Sequence, residues 1–425
     1  MFPPTSSPAA EREVLKATMA AHGFSVVELR RAGKGRPWRY VKDGDKNRRI
    51  TAYTPFALTG AAAGSDLVKT AADSTGRRVY GTVNNCAGGT TPWGTILSGE
   101  ENFNGYFLAD GTTPHQTRYW LTDNAAPSNY GWEAIDPRFD GRTAADGTPS
   151  GYVNEPNRFG YIVEIDPHNP TSTPRKHTAM GRFKHEGAEV RVDSNGTVVA
   201  YMGDDERFDY LYKFVAHRKY RRDKSAAARR HNKQILTFGD LYVAKFSGTL
   251  RPDAYNLGRG VWIPLTLSGR SMVPGMTVEE VCVYTRLAAD KVKATPMDRP
   301  EDVEPNLKTG KVYVACTNNT DRGKPGKPGA DAPNPRAPNK DAMSSSWPST
   351  ATGPTRPPLP GTSSCSAATR RTPPFRPTSP AGTAQCPRSP ARTTSPSTPP
   401  TTTCGSPPTA PRARSTTWTD CSGCR

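Results

Sequence analysis

The sequence predicts an all-β fold, and three features carry that prediction. From Phe24 onward, apolar and polar residues alternate over short runs: Phe24 to Leu29, Trp38 to Val41, Arg49 to Tyr53 and Arg78 to Val83. Gly-, Lys- and Asp-rich turns separate these runs, as in an antiparallel meander. Next, Ala188 to Val192 and Val198 to Met202 flank Asp193-Ser194-Asn195-Gly196, and Asn-Gly between alternating runs is a strong hairpin signal. Last, one inner-strand pattern recurs at Leu211-Tyr212-Lys213-Phe214, at Leu241 to Phe246 and at Val312 to Ala315. Such recurrence supports a radial β architecture.

Taken in order, residues 8 to 22 are expected to be helical. Ser7 can cap, Pro8 suits a first turn, Val14, Leu15 and Met19 form an apolar face, and Gly23 can terminate. After the first strands comes Asn84-Asn85-Cys86-Ala87-Gly88-Gly89-Thr90-Thr91-Pro92-Trp93-Gly94, an irregular loop by its Gly and Pro content. A short β segment, Thr95 to Leu97, then delivers the adjacent acids Glu100 and Glu101. Gly160 to Ile165 reads as a strand ending at Asp166-Pro167. Lys184-His185-Glu186 precedes the Asn-Gly hairpin and Gly203-Asp204-Asp205-Glu206 follows it, so both acid groups lie at one end of it. Arg218 to Lys233 is a dense basic run, read as an exposed insertion, with a funnel for a phosphate substrate as the alternative. Val283 to Lys291 is a possible helix. In Met297-Asp298-Arg299-Pro300-Glu301, Arg299 and Glu301 alternate and share a face if the segment is extended.

Composition changes abruptly near residue 341. Residues 342 to 425 hold 17 of the 42 prolines, five of the eight cysteines, nine arginines and a single acid, Asp420. Too little apolar surface remains there to offset the entropy of ordering, so a disordered tail is expected. The three other cysteines are Cys86, Cys282 and Cys316. The last two sit in apolar β-like runs, and no paired spacing suggests disulfides or a zinc ribbon. The formal net charge is +18, of which the tail supplies nine arginines against one aspartate. A specific nucleic-acid partner is therefore not expected. The longest apolar stretches are too short to span a membrane, and no signal peptide is read at Met1-Phe2-Pro3-Pro4.

The string from Asn84 to Phe107, NNCAGGTTPWGTILSGEENFNGYF, resembles the signature loop of the PhoX-type alkaline phosphatases. Those are bacterial phosphomonoesterases that depend on calcium and iron. The stretches around Glu186, Asp205, Arg299 and Val314 to Asn339 resemble the same family in the expected order, over roughly residues 20 to 341. The resemblance implies a β-propeller, here incomplete, with blades missing at both ends. It divides the chain into an N-terminal helix and lead-in (1–23), a partial propeller (24–341) and the tail (342–425), read as out of frame. It further implies calcium and ferric iron held by Cys86, Glu101, Glu186, Asp205 and Glu301, with Arg299 and Glu301 acting on the substrate. A thiolate suits iron, whereas calcium takes oxygen ligands. Glu100 and Asp204 are not separable from their neighbours by sequence, and His185 is equally a second-layer or a structural residue. A phosphate monoester substrate, a monomer and periplasmic or extracellular export through a twin-arginine signal are expected from the family. The chain as written reads as cytoplasmic, with impaired activity. The alternatives are a noncatalytic calcium-binding propeller and a propeller hydrolase of another class, such as a calcium lactonase.

Overall fold

The computed structural model describes residues 8–121, 128–250, 256–348 and 365–370. The N-terminal helix spans Pro8–Ala21 and stops before Gly23, whose φ of 91° is left-handed; Ser7, the expected cap, lies outside the described residues. Beyond it β-structure dominates. Two sheets form the body, one of nine strands and one of five, accompanied by three two-stranded ribbons. No closed ring of four-stranded blades is formed among the described residues.

The five-stranded sheet runs in the order Arg78–Tyr80, Pro55–Thr59, Arg175–His177, Ile162–Ile165, Ile96–Gly99. Pro55–Thr59 pairs with Arg175–His177 in parallel, and the other pairs are antiparallel. Phe56, Leu58, Val79 and Val163 turn inward onto one core with Phe103, Tyr106 and Trp132. Ile162 and Leu97 face a second core with Val198, Ala200, Met202 and Tyr212. Residues of one strand thus feed two cores, as side-chain alternation requires.

The nine-stranded sheet begins with the predicted hairpin. Glu189–Val192 pairs antiparallel with Val198–Gly203, Val192 lying opposite Val198, and Gly196 takes φ 83° in the turn. Leu211–Ala216, Gly239–Gly248 and Asn256–Pro264 follow in spatial order. The far edge is built from Pro300–Pro305, Lys311–Cys316 and Met343–Pro348, with Cys365–Arg370 between Met343–Pro348 and Asn256–Pro264. All three recurrences of the inner-strand pattern are therefore strands of one sheet. Two of its strands lie beyond the expected boundary at 341. Met343 and Ser345 alternate inward there, and Met343 packs with Val312 and Val314. The rest of the expected tail lies outside the described residues.

Two local expectations change. Cys282 is buried in a helix, Val278–Val283, and not in a strand. Its start is fixed by a capping box between Thr277 and Glu280, a signal present in the sequence but outweighed by the apolar run. The helix breaks at Tyr284 and resumes as Thr285–Lys291. Likewise the basic insertion is not all loop, because Ser225 caps a short helix, Ala226–Asn232. No helix among the described residues is long and apolar enough to cross a membrane.

Candidate metal centre

The irregular loop after Tyr80 folds back along the strand Ile96–Gly99. Asn84 turns the chain with φ 45°. The Cys86 and Glu101 amides then donate to the Gly99 and Asn84 carbonyls, and Asn85 forms a bridge opposite Glu100. Cys86 and Glu101 come out on one side, their thiol and carboxyl hydrogen-bonded. Glu100 points the other way, fully buried, with Lys176 Nζ at 2.7 Å and Thr82 Oγ1 at 2.8 Å. Alternation along an extended segment thus separates two acids that sequence alone could not tell apart.

The same division recurs at the mouth of the hairpin. The Asp205 amide donates to the Lys184 carbonyl, and His185 bridges Asp204. Asp204 is buried, with Arg286 Nε at 2.8 Å. Asp205 faces the site, where carboxylate oxygens of Glu186, Asp205 and Glu301 all lie within 4.8 Å of one another. Glu101 reaches the same place, since its carboxyl meets Asp205.

Two glycines let these segments approach. A Cβ at Gly99 would lie 2.1 Å from the His185 carbonyl oxygen, and one at Gly203 would lie 2.2 Å from the Pro300 carbonyl oxygen. Neither distance admits a side chain. Gly99 therefore seats the Cys86–Glu101 arm against Glu186, and Gly203 seats Asp205 against Glu301.

Arg299 closes the group. Its Nε lies 2.8 Å from Asp205 Oδ1, and its Nη2 lies 2.9 Å from Asp205 Oδ2 and 3.1 Å from Glu301 Oε1. The two residues share a face, but not by strand alternation. Arg299 has φ 53°, the strand starts at Pro300, and its pairing shifts register between Pro300 and Val303. The backbone is thus strained just where Arg299 is presented.

The electrostatics are those of crowded acids. Burial, then the charges of Glu301 and Asp205, push Glu186 up to about 7. Burial and the hydrogen bond with Asp205 push Glu101 to about 7. Partial burial, with Glu101 and Glu186 nearby, raises the Cys86 thiol to about 12, although the residue as a whole is exposed. Burial also raises Glu301. Glu186 Oε2 is buried with no hydrogen-bond partner, an arrangement that costs energy unless something positive meets it. One guanidinium stands against four carboxyls and a thiol. This donor set fits added cations: oxygens for a hard ion such as calcium, and a thiol that could serve a softer or ferric ion as thiolate.

Sequence reasoning overlooked the support beneath. Asp298 is fully buried and accepts from Arg322 Nε at 2.6 Å, Asn319 Nδ2 at 2.9 Å and Asn339 Nδ2 at 3.0 Å. It ties the segment before Arg299 to two later loops; its place beside Arg299 was the available signal. His185 is packed into the core beneath the site. Its buried ring stacks on Phe183 at 3.6 Å, its Nε2 bonds the Gly181 carbonyl, and burial lowers its pKa to about 3. The basic insertion does not line this site. Tyr220 donates its amide to Gly196 at the hairpin turn, roughly 20 Å of strand away from Asp205.

Comparison with known proteins gives a consistent picture. The family model described as alkaline phosphatase PhoX matches residues 4–347. Pseudomonas fluorescens PhoX, solved in complex with vanadate, a transition state analogue, superposes with a TM-score of 0.72 at 39% identity. The match covers 84% of this chain and 59% of that one, so the chain aligns with little more than half of its structural relative. Comparison with curated proteins gave no match.

Proposed function

Because this chain belongs to the PhoX alkaline phosphatase family, we propose that it hydrolyses phosphate monoesters at a calcium- and iron-loaded centre. Cys86, Glu101, Glu186, Asp205 and Glu301 would hold the cations. The observation that carries this reading is the convergence of Glu186, Asp205 and Glu301 around the fork of Arg299. The relative's complex with vanadate, a transition state analogue, supports it. The two sheets are read as parts of an incomplete propeller.

Bound cations would supply the positive charge that phosphoryl transfer needs and would activate an oxygen nucleophile. The residues of this chain prepare the site for that. Arg299 is part-exposed, with Nε and Nη2 engaged by Asp205 and Glu301, so it would take phosphate oxygens through Nη1, and through the whole fork once cations draw those carboxylates away. Raised by burial and by one another, Glu101, Glu186 and the Cys86 thiol would lose their protons on binding the cations, the thiol least readily. Export from the cytoplasm and a monomeric state are the setting this reading implies.

The test is hydrolysis of p-nitrophenyl phosphate by the purified chain loaded with Ca²⁺ and Fe³⁺. Turnover abolished by chelation is expected, with Arg299→Ala lowering kcat/KM by about 100-fold or more. Turnover indifferent to chelator and to Arg299→Ala would overturn the assignment.

A further inference from the structure

Thr317 lies just past the strand Lys311–Cys316, inside the family-like stretch from Val314 to Asn339 but with no role assigned to it by the sequence. Its hydroxyl donates to Glu301 Oε1 at 2.6 Å. Its amide donates to the Arg299 carbonyl at 3.2 Å. One residue therefore grips both members of the Arg299–Glu301 pair, one through its side chain and the other through its backbone.

The position explains why such a grip is needed. The strand opens with Pro300, which has no amide to give the ladder, and Pro300 stands opposite Cys316. The Thr317 amide supplies the next bond instead, to a carbonyl whose residue sits at φ 53°. Thr317 is itself fixed, because Asn339 Nδ2 donates to its carbonyl at 3.3 Å and to Asp298 Oδ2 at 3.0 Å. A continuous chain of bonds thus runs from the buried Asp298 through Asn339 and Thr317 to Glu301.

Glu301 Oε1 also meets Arg299 Nη2 at 3.1 Å. A carboxylate oxygen has two lone pairs, and here the hydroxyl and the guanidinium use both. We infer that Thr317 is a positioning residue for the metal centre: its hydroxyl fixes the Glu301 carboxylate so that Oε2 is the oxygen offered to a cation. The inference rests on the metal-dependent reading above. Outer partners that orient a ligating carboxylate typically set metal affinity by 10- to 100-fold.

Calcium titration of the purified, chelator-stripped chain, followed by calorimetry with CaCl₂ alone, tests this without any activity readout. Thr317→Val keeps the shape and removes only the donor, and Thr317→Ser restores the donor with a smaller side chain. Thr317→Val is expected to bind Ca²⁺ roughly 10-fold or more weakly, with Thr317→Ser close to the parent chain. Should Thr317→Val fail to fold, Thr317→Ala is measured against Thr317→Ser in the same way. Equal affinity in parent and donor-less variants overturns the inference and leaves the metal site standing. Equal weakening in Thr317→Ser also overturns it, since packing and not the hydroxyl would then matter. A parent chain that takes up no Ca²⁺ overturns the functional reading itself.

Discussion

Two layers of acids occupy the same few segments of this protein and behave in opposite ways. In the lower layer Glu100, Asp204 and Asp298 are fully buried, each beside a buried cation: Lys176, Arg286 and Arg322. In the upper layer Glu101, Asp205 and Glu301, with Glu186, share one guanidinium among them. Glu100 and Glu101 are neighbours, as are Asp204 and Asp205, so residue type and local sequence do not distinguish the layers. What differs is the side of the backbone and the cation waiting there. A compensated acid holds the fold, and an uncompensated one is held ready at a cost to it.

The contrast breaks most sharply at Lys176. Lys176→Met would leave the buried Glu100 without its cation, and about 3–5 kcal/mol of stability should go, read from urea unfolding. An unchanged midpoint would place Glu100 outside the compensated layer.

A smaller effect should appear in acid. Burial works against ionised Glu164, but His177, Arg175 and Thr95 outweigh it and hold the carboxyl at about 2 against an ordinary 4.5. The folded pKa is depressed, so this stabilisation is present above about 4.5 and is lost as pH falls from there toward 2. It amounts to about 3 kcal/mol at most. Thermal melts between pH 5 and 2 should show the loss in the parent chain and a flatter slope in Glu164→Gln. Equal slopes would show that Glu164 is not compensated.

The smallest effect has the opposite sign and sharpens the comparison. Glu186→Gln should raise the melting temperature of the chelator-stripped chain, by about 1 kcal/mol in stability, while weakening Ca²⁺ binding. If the stripped variant melts lower than the parent, Glu186 is a structural acid and the upper layer has been misdrawn.

Much of this was legible in the sequence, for physical reasons that can be named. The hairpin at Asn195-Gly196 was readable because its signal is local, as were the strands repeating Leu211-Tyr212-Lys213-Phe214. Cys86, Glu101, Glu186, Asp205, Arg299 and Glu301 could be singled out through a family resemblance, and the structure brings them together. The partition of Glu100 from Glu101 was not readable, because it depends on Lys176, some 76 residues later. Nor was the role of Thr317 or Asp298: both lie in stretches that resemble the family, but each acts through partners brought in by tertiary folding. Arg299 and Glu301 were paired on an argument from extended backbone. They do pair, but through a left-handed residue and a shift in register that no alternation pattern announces.

Gly99 and Gly203 give the site a property that its charged residues do not. Where backbone rests directly on backbone, as against His185 and Pro300, there is no rotamer to absorb an error. The spacing between the arms of the centre is therefore a fixed gauge, and the only slack lies in the glutamate side chains themselves. A methyl group added at Gly99 would move the Cys86–Glu101 arm and Glu186 apart together. One uncharged substitution would then behave in a double-mutant cycle as though it touched residues nearly a hundred positions apart.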